Sequence, residues 1–310
     1  MGVKELFNKA VDYIMETRVL NKAYYENNLP DDYDSSAGQS MSKENVSYNG
    51  VDKLELAWQA FGTFGVGSSV KPQYIKAVND FLKNTDSRID ALKKIAELCE
   101  GSKTPKALYI KTKAYSWAGA TCRKETIQNA LEYLNGAIWK DLPSNKFLYN
   151  GAEYDQRLAN LADIWLDLAK AYEGEKEYEN SLKALEKVKS LNSNFPGVAL
   201  LIAGVYKKMN KLDKAIETLE IAKRDPQLKP RKWKDEWGFE QETSDYRKMF
   251  DADLTKYKEL YRDQCEYNKI LKILPDLAPK SLSGYRRMKS IQSSNYLNIL
   301  DVARNKGVDL

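Results

Sequence analysis

Residues 165–198 read WLDLAKAYEGEKEYENSLKALEKVKSLNSNFPGV, and residues 199–232 read ALLIAGVYKKMNKLDKAIETLEIAKRDPQLKPRK. At a shift of 34 residues, Leu168 falls on Ile202, Ala169 on Ala203 and Tyr172 on Tyr206. Further along, Tyr178 falls on Leu212, Ser181 on Ala215, Leu185 on Leu219 and Val188 on Ala222. Every pair keeps its size class. Within each copy the apolar residues recur at helical spacing, in two runs separated by a short polar turn. A fixed period of this length marks one helical hairpin per copy. Such a hairpin cannot bury its apolar face alone and must stack on its neighbours.

Small residues at Ala169, Ser181, Ala203 and Ala215 let the two helices of a hairpin approach closely. Large ones at Tyr172, Leu185, Tyr206 and Leu219 fill the layer to the next hairpin. The pattern Trp165, Leu168, Ala169, Tyr172, then Tyr178, Ser181, Leu185, Val188, with Pro196 late, resembles the tetratricopeptide repeat family. The second copy reads Ala199, Ile202, Ala203, Tyr206, Leu212, Ala215, Leu219, Ala222 and Pro226. A weaker third copy lies upstream. Ala114, Trp117 and Ala118 serve as its first helix, Ile127, Ala130, Leu134 and Ala137 as its second, and Pro143 follows. Its offset to the next copy is 51 residues. The resemblance is clear over 160–227 and extends in looser form to about residue 107.

The expected fold is therefore all-α: a tetratricopeptide-like helical-hairpin solenoid with helical flanks. Three regions follow. Residues 1–104 form an N-terminal helical region, 105–227 hold the repeats, and 228–310 carry a long helix and a basic tail. In the first region, Leu6, Ala10, Tyr13, Ile14, Thr17 and Leu20 predict an amphipathic helix over 3–26. A polar loop spans 27–50. Its Asp32, Asp34 and Ser36 alternate as in a calcium loop, but Ala37 and Lys43 take the required glycine and glutamate positions. Helices are expected over 51–66, from Pro72 to about Asn84, and from an Asp86 or Ser87 cap to Gly101, the last with Ile89, Leu92, Ile95, Ala96 and Cys99 inward. No run alternates apolar with polar residues, so no sheet is expected. Residues 226–252 read as irregular, followed by a helix from about Ala252 to Leu274 that Pro275 ends.

Composition narrows the function. The chain has 310 residues, 49 Lys and Arg against 44 Asp and Glu, and no histidine. Without histidine there is no Ser-His-Asp triad, Cys-His dyad or histidine metal ligand within the chain. Cys99, Cys122 and Cys265 lack paired spacing, which fits reduced thiols in a cytosolic protein rather than a disulfide framework or a zinc site. No apolar stretch approaches the length of a membrane span. No catalytic residue, metal site or cofactor is expected.

The family resemblance implies a groove lined by the first helix of each hairpin, where a peptide or partner helix binds. Carried over by register, the groove residues are Thr112, Tyr115 and Gly119, then Asp163, Leu166, Lys170 and Glu173, then Leu200, Gly204 and Lys207. Where some relatives clamp a peptide carboxylate with lysine and asparagine, this chain has Tyr115, Gly119, Asp167 and Leu201, so that clamp is missing. A second candidate is basic: Lys280, Arg286, Arg287 and Lys289 bring phosphate donors together around Tyr285. The favoured expectation is a cytoplasmic, bacterial-type adaptor or regulatory scaffold with a protein or peptide partner and no membrane. The alternatives are a nucleic-acid-associated regulator using the basic tail and a sensor of a peptide or small ligand.

Overall fold

The computed structural model describes residues 51–64, 70–83, 85–136, 146–149, 152–191, 197–225, 232–234, 240–242 and 246–308. The predicted helix over 3–26 and the loop over 27–50 lie outside them. Among the described residues the chain divides by its own contacts into two units. One holds Met1–Leu201 and Pro230–Ser244, the other Ile202–Lys229 and Asp245–Leu310.

In the first unit the helices are α1 (Lys53–Gly62), α2 (Ile75–Lys83), α3 (Arg88–Leu98), α4 (Pro105–Ala118), α5 (Arg123–Asn135), α6 (Gln156–Gly174) and α7 (Tyr178–Leu191). Side-chain caps fix several starts. Asp52 accepts from the Glu55 amide, Ser87 from Asp90, and Thr104 from Ala107 with Pro105 at the first helical position. A 3-10 turn, Pro72–Tyr74, precedes α2. Helix α3 packs on both α1 and α4, and α1 also lies against α4. The same arrangement recurs downstream, where α5 packs on α4 and α6, and α6 lies against α4. Helices α1 and α3 thus continue the hairpin stack one step upstream, with α2 inserted between them.

The core of this unit runs along the stack. Leu56, Ala60, Leu92, Ile95, Ile110 and Ala114 form one cluster, capped by the stacked rings of Phe61 and Trp117, 4.5 Å apart. Leu108, Tyr133, Leu161, Ile164 and Leu168 form the next. Ile89, expected inward, is 43% exposed, because α3 turns Ala91, Leu92, Ile95 and Ala96 to the core instead.

Helix α8 (Gly197–Lys208) begins in the first unit and ends in the second. The second unit continues with α9 (Leu212–Lys223), α10 (Tyr246–Ile273), α11 (Leu282–Ser290) and α12 (Ser294–Asn305). Helices α9 and α10 are tied by Lys223–Asp251 and by Lys258–Glu220 at 2.6 Å, and Gln264 of α10 donates to Asn210 in the turn before α9 at 3.2 Å. One partner's number rises as the other's falls, so the two helices run antiparallel. A cluster of Tyr267, Ile270, Leu274, Tyr285, Ile299 and Ala303 joins α10 to α11 and α12.

The repeat is written into the backbone as well as the side chains. Lys176 ends the turn after α6 at φ 65°, and Asn210 ends the turn after α8 at φ 60°. The Glu177 amide donates to the Tyr172 carbonyl, and the Lys211 amide to Tyr206. Both are left-handed helix ends of the Schellman type, 34 residues apart. Gln292 (φ 45°) repeats this bonding between α11 and α12, with Ser293 donating to Met288.

Three sequence expectations change. Two small antiparallel ribbons are present where no sheet was expected: β1 (Lys146–Tyr149) with β2 (Ala152–Asp155), and β3 (Lys232–Lys234) with β4 (Glu240–Glu242). Strands of three or four residues are too short to establish an alternation. Between the paired Tyr149 and Ala152, however, the sequence is Asn150-Gly151, the residue types of a two-residue hairpin. The long helix starts at Tyr246 rather than near Ala252. The basic tail is itself two helices, capped by Ser281 and Ser293. The all-α class is unaffected.

Candidate interaction surfaces

The burial pattern of α4–α5 matches that of α6–α7 at one offset. Ala107 and Ala162, Ala114 and Ala169, Thr126 and Ser181, Asn129 and Ala184, Ala130 and Leu185, and Tyr133 and Val188 are all buried, each pair 55 residues apart. At the same offset the half-buried Trp117 matches Tyr172. The expected offset of 51 set Ala118 on Ala169, and the packing corrects it to Ala114. The difference moves the groove positions. Tyr115 takes the place of Lys170, Lys111 that of Leu166, and Thr112 that of Asp167.

Thr112 is fully buried and donates to the Leu108 carbonyl at 2.8 Å; Leu166 is also buried. Both pack inward rather than onto an open face. Tyr115, Lys170 and Glu173 are half-buried on α4 and α6. Burial pushes the Tyr115 phenol up, and Glu100, Glu125 and Glu97 add to it. Gly119 is exposed in a turn at φ 88°.

Between α4 and α6 lies an ionic cluster. The Lys113 ammonium is 2.6 Å from Asp167 and 2.7 Å from Asp163, and the Tyr109 hydroxyl donates to Asp163 at 3.3 Å. Lys113 and Asp167 are each 1% exposed. Removing one partner from such a cluster leaves buried charge uncompensated, so it fixes which turn of α4 meets which turn of α6. A sequence signal for it exists. It is partial: Asp163 and Asp167 are four apart and so share one face of α6, but no spacing marks Lys113 as their partner. Upstream, the Lys106 ammonium meets Glu55 at 2.7 Å and lies over the Trp58 ring. Burial raises the Glu55 carboxyl, but Lys106, the Gln59 amide and Lys71 together outweigh it, and the group stays below the ordinary glutamate range.

In the second unit, Lys207 lies over the ring of Tyr257, 5.5 Å from its centroid. Tyr257 is buried, which pushes its phenol up to about 12. Burial also pulls the Lys207 ammonium down, helped by Lys256, Lys208 and Arg286 and opposed by Asp253. Burial raises Asp253, against the pull of Lys256 and Lys207. The two sequence candidates meet here: Lys207, read as a groove residue, and Arg286, read as part of a basic patch, share one electrostatic neighbourhood.

The rest of that patch is partly neutralised by α10. The Arg286 Nε donates to Asp263 at 2.9 Å, and Lys289 pairs with Asp263 at 2.9 Å and with Glu266. Burial pulls Lys289 down, but the bonds to Glu266 and Asp263 outweigh it and hold the ammonium above the lysine range. Tyr285, expected as an aromatic of the patch, is fully buried and donates to Glu266 at 2.9 Å. Lys280 and Arg287 are exposed and make no ion pair among the described residues. Leu200 is half-buried on the part of α8 that belongs to the first unit.

Cys99 and Cys122 are buried thiols and Cys265 is half-buried. Burial pushes Cys99 up to about 12, in the direction of an inert structural thiol. No helix of the described residues is long and apolar enough to cross a membrane.

A tetratricopeptide repeat family model matches residues 162–195, which spans most of α6 and all of α7. Among solved structures, the crystal structure of MamA is similar at 19% identity and a TM-score of 0.32, covering 51% of this chain and 74% of that one. No curated protein matches.

Proposed function

We propose that the chain, an all-α helical-repeat protein whose residues 162–195 are a tetratricopeptide repeat, works as a non-catalytic scaffold or regulatory adaptor in the cytoplasm. On this reading it binds a peptide or partner helix on the α4–α6 face of its first unit. One observation carries this: α4–α5 and α6–α7 bury equivalent positions at one register, so α4 and α6 are neighbouring first helices of stacked hairpins. Tyr115 and Lys170 occupy the same register position on the two helices, and both stay half-buried. Tyr115 is of a residue type enriched among the anchors of protein interfaces, and Lys170 and Glu173 on α6 add charged groups that can select a partner. Leu200 follows on α8.

The test is selection of ligands from a displayed peptide library on the full chain. Tyr115→Ala with Lys170→Glu should weaken the selected peptides about tenfold or more, with the circular dichroism spectrum unchanged. Peptides that bind the double variant and the parent equally would overturn the assignment of the face.

A further inference from the structure

We propose that the second unit carries a separate anion-recognising surface, built from Lys207 of α8, Lys256 of α10 and Arg286 of α11, which fits an acidic segment of a partner protein. The inference rests on the reading of the chain as a protein-binding scaffold and adds the chemistry of one partner.

Three observations meet at this place. First, three elements far apart in sequence converge there. Lys207 lies over the ring of Tyr257, the residue next to Lys256 on α10, and Arg286 bonds to Asp263, seven residues and about two turns along α10 from Lys256. Second, the cations are held in place without being consumed. Lys207 is positioned over the Tyr257 ring, a cation–π contact that leaves the ammonium able to accept an anion. Neither Lys207 nor Lys256 forms an ion pair within 4 Å among the described residues. Arg286 is anchored through its Nε by Asp263, yet its side chain is 48% exposed. Third, the ammonium of Lys207 is already partly stripped of water among like charges. An incoming carboxylate relieves that repulsion at a site whose desolvation cost folding has already met in part.

The pattern favours a peptide over a polynucleotide. Asp253 and Asp263 sit among the cations, and Lys289 is committed to Asp263 and Glu266. A phosphate backbone presents evenly spaced charge and binds by releasing counterions from many uninterrupted cations. Here it would meet carboxylates within the same few side chains. An acidic peptide can place glutamates on the cations and uncharged residues beside Asp253 and Asp263.

The experiment is fluorescence anisotropy on the full chain at about 150 mM salt, where long-range attraction between exposed charges is screened. Three labelled probes of equal length are compared: a glutamate-rich peptide, its lysine-for-glutamate counterpart, and oligothymidylate. The acidic peptide should bind and the basic one should not. Lys207→Glu and Lys256→Glu should each weaken it at least about tenfold, while Lys207→Arg retains binding. Thermal melts of each variant separate lost binding from lost fold, and Lys256→Gln serves if the charge reversal fails to fold. Absent binding, equal binding of both peptides, tighter binding of oligothymidylate, or binding that survives Lys207→Glu would each overturn the proposal. If acidic probes fail while selected peptides still depend on Tyr115 and Lys170, this surface is wrong and the scaffold reading stands.

Discussion

Lys176 holds a left-handed backbone that β-carbons disfavour by about 1–2 kcal/mol, and the bonding of the turn after α6 leaves it no alternative. Its counterpart in the next hairpin is Asn210, a residue type that tolerates this conformation better. Lys176→Gly should therefore stabilise the chain by up to about 1 kcal/mol, less whatever glycine's extra freedom costs when unfolded. Asn210→Gly should gain less. Urea midpoints for the two variants check the ordering. At Glu55 the prediction concerns pH. Its folded carboxyl lies below the usual range because of Lys106, with Gln59 and Lys71 adding to it, so its contribution is present above the unfolded pKa of about 4.3 and is lost as pH falls through the folded one. The parent should be more stable than Glu55→Gln near neutrality. That gap should close in urea melts taken at successively lower pH, and a constant gap would count against the Lys106 pairing. At this scale the sequence was readable wherever the 34-residue register repeats. Leu168, Ala169, Ser181, Leu185, Ile202, Ala203, Ala215 and Leu219 are all buried as their spacing required. Lys113, Asp163 and Asp167 were not legible as a unit, because a charge in a helical run gives no sign of its partner until α4 and α6 are laid together.

Helices show where register reading succeeds and where it slips. Helix α4 carries Ala107, Ala114 and Ala118 at small-residue positions, so an alanine pattern fits it at more than one offset. Burial alone selects the 55-residue alignment, and with it the positions of Tyr115 and Thr112. Helices α11 and α12 escaped notice for another reason. Their turn has the bonding of the repeat turns, but Gln292 sits at the left-handed position and Leu297, where the repeats bury Ser181 and Ala215, is 48% exposed. The hairpin shares the turn and not the buried face, so no repeat signal survives in its side chains. Gly204, inside α8, offers a test of element energetics. A β-carbon built there meets nothing within 4 Å. Gly204→Ala should raise stability by about 0.5–1 kcal/mol through helix propensity, read as an upward shift in Tm. A loss would mean that the position is packed more tightly than the structure shows.

On the scale of the whole chain, the two units have separate hydrophobic clusters. Ile110 is fully buried in one and Ile270 in the other, at 1% exposure. Truncating either to alanine should cost about 2–5 kcal/mol. The loss of amide protection in native-state hydrogen exchange should then localise, to α3–α5 for Ile110→Ala and to α10–α12 for Ile270→Ala. Protection lost uniformly in both variants would show that the units unfold as one. The sequence divided the chain by repeat boundaries, whereas contact places a division inside α8, between Leu201 and Ile202. Hydropathy patterning could not show it, because a helix reads the same on both sides of such a point.

The Lys113 cluster also bears on how this chain could grow. Arrays of this kind lengthen by copying a hairpin in tandem. In α6 the register position of Lys113 is held by Leu168, and in α8 the positions of Asp163 and Asp167 are held by Gly197 and Leu201. A duplicated α6–α7 would therefore set two carboxylates against a leucine, with no ammonium to receive them. Copying that hairpin would carry the cost of unpaired buried carboxylates unless a lysine arose at the position of Leu168.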